Sequence, residues 1–129
     1  MPTVESIMTR DLVRVDPGTS LVDAAKKMVD RQVGAALVFE GEGLVGIVTE
    51  RDVLRAVAHG GAEAGAVSRW MTEHPETIEP GDSTEHAAVL MIHGGFRHLP
   101  VAAGPDVVGI VSIRDLMRVV LDDASPRGV

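Results

Sequence analysis

The sequence contains no cysteine and no tyrosine, and it has only two phenylalanines and one tryptophan among 129 residues. The absence of cysteine excludes disulfides, thiolate metal sites and cysteine nucleophiles. No run of eighteen or more apolar residues occurs, so no segment is expected to span a membrane. Because aromatic side chains are so few, the core has to be built from Val, Leu, Ile, Ala and Met.

Basic residues are also in deficit, with 12 Lys and Arg against 19 Asp and Glu, giving a net charge of −7. That charge argues against non-specific nucleic-acid binding and against docking on an anionic membrane. The first six residues lack the basic-then-apolar layout of a signal peptide, so a cytoplasmic location is expected. With 45% hydrophobic and 24% charged residues, the composition is that of an ordinary globular protein.

Catalytic and metal-binding motifs are missing as well. The sequence has no Gly-x-Ser-x-Gly elbow and no P-loop ending in Gly-Lys-Ser/Thr. Its five histidines form neither a His-Glu-x-x-His nor a His-x-His pattern. The sequence therefore predicts neither an enzyme nor a metal site.

What the sequence does contain is an internal repeat. The segments GIVTERDVLRAV (46–57) and GIVSIRDLMRVV (109–120) are near copies that lie 63 residues apart. At that offset, residues 4–57 match residues 67–120 without a gap and with 19 identities in 54 positions. A chance match of that density is very improbable, so the chain is interpreted as two tandem repeats.

Each repeat is predicted to follow the order strand, helix, strand, strand, helix. In the first, residues 12–15 form a strand before the turn 16–18, and Ser20 caps a helix. A hairpin surrounds 40–43, and a second helix starts near Thr49. The apolar residues expected on the buried faces of the two helices are Leu21, Ala24, Ala25, Met28 and Val29, then Val53, Leu54 and Val57.

These elements predict an α+β fold. A unit of about 55 residues has little core of its own, so the repeats are expected to pack sheet to sheet about a pseudo-two-fold axis. The predicted boundaries are 1–58 for the first repeat and 67–121 for the second, with a Gly-rich connector at 59–66 and a flexible tail at 122–129.

The repeat resembles the cystathionine-β-synthase (CBS) domain, and the chain resembles a stand-alone tandem CBS pair, or Bateman module. The matching features are the openings VESIMTRD and VSRWMTEH, the Pro-Gly turn before an Ala-Ala helix, RHLPV (97–101), and the twofold Gly-hydrophobic-x-(Thr/Ser)-x-x-Asp ending. The resemblance covers residues 4–120. It implies a regulatory module that binds AMP, ADP, ATP or S-adenosylmethionine in clefts between the repeats, and that pairs into homodimers.

The segments from Thr49 to Asp52 and from Ser112 to Asp115 lie where a strand turns into a helix. Two or three free backbone N–H groups and the helix dipole are expected to favour a phosphate there, and a carboxylate can accept both ribose hydroxyls. By the resemblance, Asp52 and Asp115 are the ribose acceptors, with Thr49 and Ser112 reaching phosphate or sugar. Ser/Thr-x-x-acid is also the spacing of a helix-capping box, and the two roles are compatible.

A second pair of candidates precedes a buried strand in each repeat. Arg97 beside His98 can supply charge to a phosphate, as this position often does in the family, or the two residues are an exposed pair at the start of the strand with no ligand. Gly34 and Ala35 stand at the equivalent positions of the first repeat and leave room for an adenine ring. The two sites are therefore expected to differ, with the one at Asp115 the better nucleotide site.

Three further residues have a functional and a structural interpretation. Arg51 and Arg114 each precede an Asp, and they either reach a phosphate or pair with acids such as Glu50 on the helix surface. Thr19 follows the first Pro-Gly turn and is a sugar or phosphate contact by family position. A turn or N-cap role is its simpler interpretation.

The openings of the repeats carry Met8, Met71 and the lone Trp70, which are expected in the core or in a dimer interface. The Val- and Leu-rich helices at 50–58 and 113–121 are the expected association surface.

The main functional hypothesis is a ligand-sensing module, in which an adenosine nucleotide shifts packing or dimer geometry and an unknown protein partner reads the change. The alternative is a ligand-free dimerisation or interaction protein whose Thr/Ser-x-x-Asp motifs act only as helix caps. Binding of single-stranded nucleic acid is disfavoured by the −7 charge and by the shortage of aromatic platforms.

Overall fold

A long helix, two strands and a second long helix follow one another in both halves of the chain. The computed structural model describes residues 2–60 and 64–124. Within them the helices are α1 (Val4–Ile7), α2 (Leu21–Arg31), α3 (Glu50–His59), α4 (Thr84–Gly94) and α5 (Ile113–Ala124). The strands are β1 (Arg14–Val15), β2 (Ala35–Glu40), β3 (Gly43–Thr49), β4 (Thr72–Glu73), β5 (His98–Ala103) and β6 (Asp106–Ser112). No helix of this described part is long and apolar enough to cross a membrane.

The first long helix of each repeat is delimited by the same local chemistry. Ser20 and Ser83 are the N-caps of α2 and α4, and each Oγ accepts a backbone N–H three residues later at 3.0 Å. The helices end at Gln32 and Gly95, whose φ values of 57° and 72° place both in the left-handed region. The capping role predicted for Ser20 is therefore confirmed.

Residues 12–75 form one compact unit. Its sheet has the strand order β1-β2-β3-β4, in which β1 runs parallel to β2 and the other neighbours are antiparallel. The helices α2 and α3 pack on this sheet and on each other. The strand β4 comes from the opening of the second repeat, and it pairs with Gly46 and Ile47 at the edge of β3.

The second unit joins residues 1–11 to the chain from residue 76 onward. Its hairpin β5–β6 has the register of β2–β3 shifted by 63 residues. The first strand predicted for the second repeat is reduced to one parallel bridge from Ile78 to Val101. Thr9 bridges to Ile110, just as Thr72 pairs with Ile47. Each unit thus takes its edge segment from the opening of the other repeat.

Glycine makes the close approach of these edge segments possible. A Cβ on Gly46 would lie 2.5 Å from Met71 Sδ and 3.1 Å from the backbone oxygen of Thr72. A Cβ on Gly109 would lie 2.6 Å from Met8 Sδ and 3.0 Å from the Thr9 oxygen. Met8 and Met71 each pack against the core of their unit, which confirms the core role predicted for them.

The two cores are aliphatic, as the composition predicts. Fully buried side chains of β2, β3, β5 and β6 lie at their centres, namely Leu37, Val38, Val48, Leu99, Val101 and Val111. Trp70 packs on the edge of the core of the 12–75 unit.

The prediction that Val29, Leu54 and Val57 are buried is wrong. These side chains are 75%, 69% and 62% exposed. Helix α3 turns Asp52 and Ala56 toward the protein, one helical turn apart, and Val53 is half-buried. The apolar pattern of these helices therefore marks a second, exposed face as well as the buried one.

The ends of the second repeat also differ from the sequence-based boundaries. Helix α5 continues to Ala124, so residues 122–124 are helical and not part of a tail. Residues 125–129 of the predicted tail, and 61–63 of the predicted connector, lie outside the described residues.

Candidate functional site

The turn from β3 into α3 is closed by a complete capping box. The Thr49 N–H donates to Asp52 Oδ2 at 2.8 Å, and the Thr49 hydroxyl is 3.2 Å from the same oxygen. In return the Asp52 N–H donates to the Thr49 side chain. Asp52 is only 6% exposed, so its carboxylate is held in one orientation at the start of the helix.

The turn from β6 into α5 repeats this geometry. The Ser112 N–H and hydroxyl donate to Asp115 Oδ2 at 2.8 and 3.0 Å, and the Asp115 N–H donates to Ser112 Oγ at 3.2 Å. The Asp115 side chain is 13% exposed. The capping role predicted for both motifs is confirmed, with Asp in the place usually taken by Glu or Gln.

The second oxygen of each carboxylate faces an arginine. Arg55 Nη1 donates to Asp52 Oδ1 at 3.0 Å, and Arg118 Nη1 lies 3.7 Å from Asp115 Oδ1. Neither Arg55 nor Arg118 was predicted from the sequence as a site residue. Their signal was present, because an Arg stands three residues after the Asp in both repeats, the spacing at which helical side chains meet.

The turns offer fewer backbone donors than expected. The Glu50 N–H donates to the Gly34 carbonyl at 3.0 Å and the Ile113 N–H to the Arg97 carbonyl at 2.8 Å. The N–H groups of Asp52 and Asp115 close the capping boxes. The expectation of two or three free N–H groups is therefore wrong, and phosphate affinity at either turn has to come mainly from side chains.

The structure brings the predicted strand-start residues beside these turns. His98 is the register partner of Ser112, with Arg97 next to it, and Ala35 is the partner of Thr49, with Gly34 next to it. Arg97 is exposed and His98 is half-buried. At the start of the adjoining strand, the Ser112 turn thus has Arg97 and His98 where the Thr49 turn has the small residues Gly34 and Ala35.

The remaining candidates are Arg51, Arg114 and Thr19. Arg51 and Arg114 are exposed in the first turns of α3 and α5. Thr19 lies in the turn before α2, where its Oγ1 accepts from the Asp16 N–H at 3.2 Å and its carbonyl accepts from the Val67 N–H at 2.8 Å. These contacts agree with the turn role of Thr19.

Comparison with protein families gives the same repeat that the sequence shows. The family model of the CBS domain matches twice, over residues 4–59 and 66–122. The Bacillus subtilis (strain 168) protein YlbB is 37% identical over 119 residues, covering 90% of this chain and 80% of YlbB. A 17.7 kDa protein of Acidianus ambivalens is 34% identical over 121 residues, covering 92% of this chain and 73% of its own length.

Solved structures of similar fold include complexes with adenosine compounds. A CBS-domain protein from Burkholderia ambifaria MC40-6 superposes with a TM-score of 0.89 at 33% identity, covering 99% of this chain and all of the other. PAE2072 from Pyrobaculum aerophilum, complexed with AMP, gives a TM-score of 0.84 at 26% identity, with coverage of 97% and 100%. The CBS pair of MJ0100, with 5′-methylthioadenosine and S-adenosylmethionine, gives 0.84 at 25% identity, with coverage of 92% and 99%.

The CBS-domain model matches both repeats, and each repeat contains the same capping box. The similar structures cover nearly the whole chain. This chain belongs to the CBS-domain family and carries two CBS domains in tandem.

Proposed function

We propose that this protein is a regulatory module that binds an adenosine-containing ligand at Asp52, at Asp115, or at both. The observation that supports this proposal most directly is the way in which the two carboxylates are held. Each has Oδ2 fixed by the capping box, while Oδ1 faces an arginine whose side chain is 55% or 70% exposed. A carboxylate already fixed in place loses little conformational entropy when it accepts the ribose hydroxyls.

The neighbours of the two turns favour unequal sites. Beside Asp115, Arg97, His98 and Arg114 supply donors for a phosphate, which forms strong charge-assisted hydrogen bonds with such groups. Beside Asp52, Gly34 and Ala35 leave space for an adenine ring, with Arg51 as the neighbouring cation. Thr49 and Ser112 position the carboxylates. Thr19, in the turn before α2, is a further proposed sugar contact. The Asp115 site is therefore proposed as the stronger nucleotide site.

AMP, ADP, ATP and S-adenosylmethionine are the proposed ligands, as regulatory ligands and not as required cofactors. Complexes of CBS-pair proteins with AMP and with S-adenosylmethionine support this ligand class. Binding regulates only if the ligand has different affinities for two states of the module, which an unidentified protein partner then distinguishes. A cytoplasmic setting, where these ligands are abundant, belongs to the same proposal.

Thermal unfolding with each of the four ligands tests this function. A ligand at about 100 times its dissociation constant stabilises the native state by roughly 2.7 kcal/mol, which raises the Tm by several degrees. Asp115→Ala is expected to lose about 1 kcal/mol of stability with its cap and to remove the Tm rise at that site. Asp52→Ala tests the other site in the same way.

Ser83→Ala is the matched control, since it removes the cap of α4 in the same unit but no proposed ligand contact. It is expected to lose about 1 kcal/mol as well and to keep the full ligand response. If no ligand raises the Tm of the wild type, the proposed binding function is wrong.

A second candidate, a ligand-free interaction protein, is supported by the capping boxes themselves. Both carboxylates already have protein partners, so the motif has a structural role without any ligand. In this case Asp115→Ala and Ser83→Ala behave alike, because each removes only a cap.

A homodimer is compatible with both candidates, and we propose a second copy as the partner of the apolar helix faces. Between α2 and α3 lies a groove of about 410 Å³ whose lining includes Val22, Val29 and Val57. In the other unit, the exposed apolar side chains of α5 include Met117 and Leu121. Apolar faces of this kind are typical of association surfaces.

Leu54→Arg is expected to shift the protein from dimer to monomer in sedimentation velocity, because it buries a charge in the proposed interface. Glu42→Arg, in the exposed β2–β3 hairpin, is the control and should leave the dimer intact. Equal sedimentation of the wild type and Leu54→Arg would exclude the α3 face from the interface.

A further inference from the structure

The one tryptophan of the chain lies among basic side chains of the 12–75 unit. The guanidinium carbons of Arg55 and Arg69 are 5.7 and 5.6 Å from the centre of the Trp70 ring, and the His59 ring centre is 6.2 Å away. The indole N–H donates to the Ala64 carbonyl at 2.9 Å, which fixes the ring. Movement of these neighbouring side chains is therefore expected to change the environment of the Trp70 ring.

Arg55 has two partners at once. Its Nη1 donates to Asp52 Oδ1 at 3.0 Å, while the same guanidinium lies over the Trp70 ring. Its side chain is 55% exposed, so its ion pair is weak, and a cation–π contact at an exposed site is of similar strength. A small change at Asp52 is therefore enough to move Arg55 from one partner toward the other.

The other unit lacks this connection. Arg118 occupies the position equivalent to Arg55 and lies 3.7 Å from Asp115, but Ile7 stands where the first unit has Trp70. Ser6 and Asp122 likewise replace Arg69 and His59. The cationic and aromatic cluster is thus a property of one unit only.

We propose that Arg55 transmits ligand binding at Asp52 to Trp70. The proposal rests on the function proposed above, since it requires a ribose at Asp52. The ribose hydroxyls donate to Oδ1 and compete with Arg55 for that oxygen. The released guanidinium then moves further over the indole, next to the end of α3 and the residues that lead into β4.

The transmission also sets the affinity of the site. Because the ligand has to displace Arg55 from Oδ1, the ion pair weakens binding of a neutral nucleoside. Removing the guanidinium is expected to tighten adenosine binding by about two- to fivefold, the range that an exposed ion pair provides. The ligand without phosphate is the suitable probe, since Arg55 then offers it no charge attraction in return.

The test combines adenosine titration by calorimetry with Trp70 fluorescence, for which the chain has a single emitter. Wild-type protein should bind adenosine at Asp52, with a change in emission that Asp52→Ala abolishes. Arg55→Met should bind more tightly and show no emission change. Arg118→Met, the same replacement in the other unit, should keep the emission change.

The outcomes separate the two proposals. Binding that Asp52→Ala removes, but that leaves Trp70 emission unchanged in the wild type, overturns the transmission and leaves the binding function standing. An emission change that persists in Arg55→Met, or weaker adenosine binding by that variant, overturns it equally. Adenosine binding whose affinity and stoichiometry are the same in Asp52→Ala as in the wild type places the ligand elsewhere and also overturns the transmission. No adenosine binding overturns the transmission as well, and the binding function is wrong only if the four proposed ligands also fail to raise the Tm.

Discussion

Replacing Leu37 by alanine is expected to lower the free energy of unfolding by about 2–5 kcal/mol. Leu37 is fully buried in β2, between β1 and β3, and belongs to the run Ala35–Phe39 in which every side chain is buried. The loss combines the transfer free energy of the removed carbons with a cavity that the neighbouring strands cannot fill.

Leu54→Ala is the matched control, because it makes the same chemical change at a side chain that is 69% exposed. Its effect on the monomer should stay within about 0.5 kcal/mol. Urea denaturation followed by circular dichroism measures both at a protein concentration where sedimentation shows only monomer, with the slope of the transition checked for constancy. Comparable losses for the two variants would contradict the burial described for β2 and α3.

Gly46→Val is expected to destabilise the protein by about 3 kcal/mol, the upper end of the overpacking range. Its Cβ would meet Met71 Sδ at 2.5 Å and the Thr72 backbone oxygen at 3.1 Å, and both distances are shorter than ordinary contacts. The side chain can be accepted if the Met71 side chain is displaced from its packing and β4 shifts away from the edge of β3, which weakens the pairing of Gly46 and Ile47 with β4.

Gly43→Val tests the specificity of this effect in the same strand. The nearest atom to its added Cβ is the Glu40 oxygen at 3.6 Å, an ordinary contact, so a much smaller loss is expected. Adding Met71→Ala to Gly46→Val should restore part of the stability, and a double-mutant cycle measures this coupling. Additive losses in the cycle would show that Met71 is not what excludes a side chain at Gly46.

The repeat, the order of the elements and the helix caps were predictable because they depend on residues close together in the sequence. Ser20 and the hairpin around residues 40–43 are examples, since a cap and a turn are read within a few positions. The exposure of Leu54 and Val57 was not predictable in this way. An apolar helix face has the same pattern whether it meets its own sheet or remains exposed.

In the candidate site too, the local features were predictable and the contacts between distant residues were not. The capping boxes at Asp52 and Asp115 follow from spacing alone, and the positions of Arg97 and Gly34 beside them follow from strand pairing. The shortage of backbone donors was missed because the acceptors that use them, the carbonyls of Gly34 and Arg97, lie just before a different strand, more than ten residues away in the sequence. The contact of Arg55 with Trp70 joins residues 15 apart, beyond any local pattern.

The exchange of edge segments fixes the order in which the chain becomes able to fold during its synthesis. Residues 12–75 contain every strand of their unit, so all the partners of that sheet are present once residue 75 leaves the ribosome. The segment at residues 2–11 is made earlier, yet its bridge from Thr9 to Ile110 waits for β6. At roughly 5–20 residues per second, that delay lasts seconds after the first unit is complete. Because closing this long loop is slow, residues 2–11 are synthesised first but are expected to pair with β6 last.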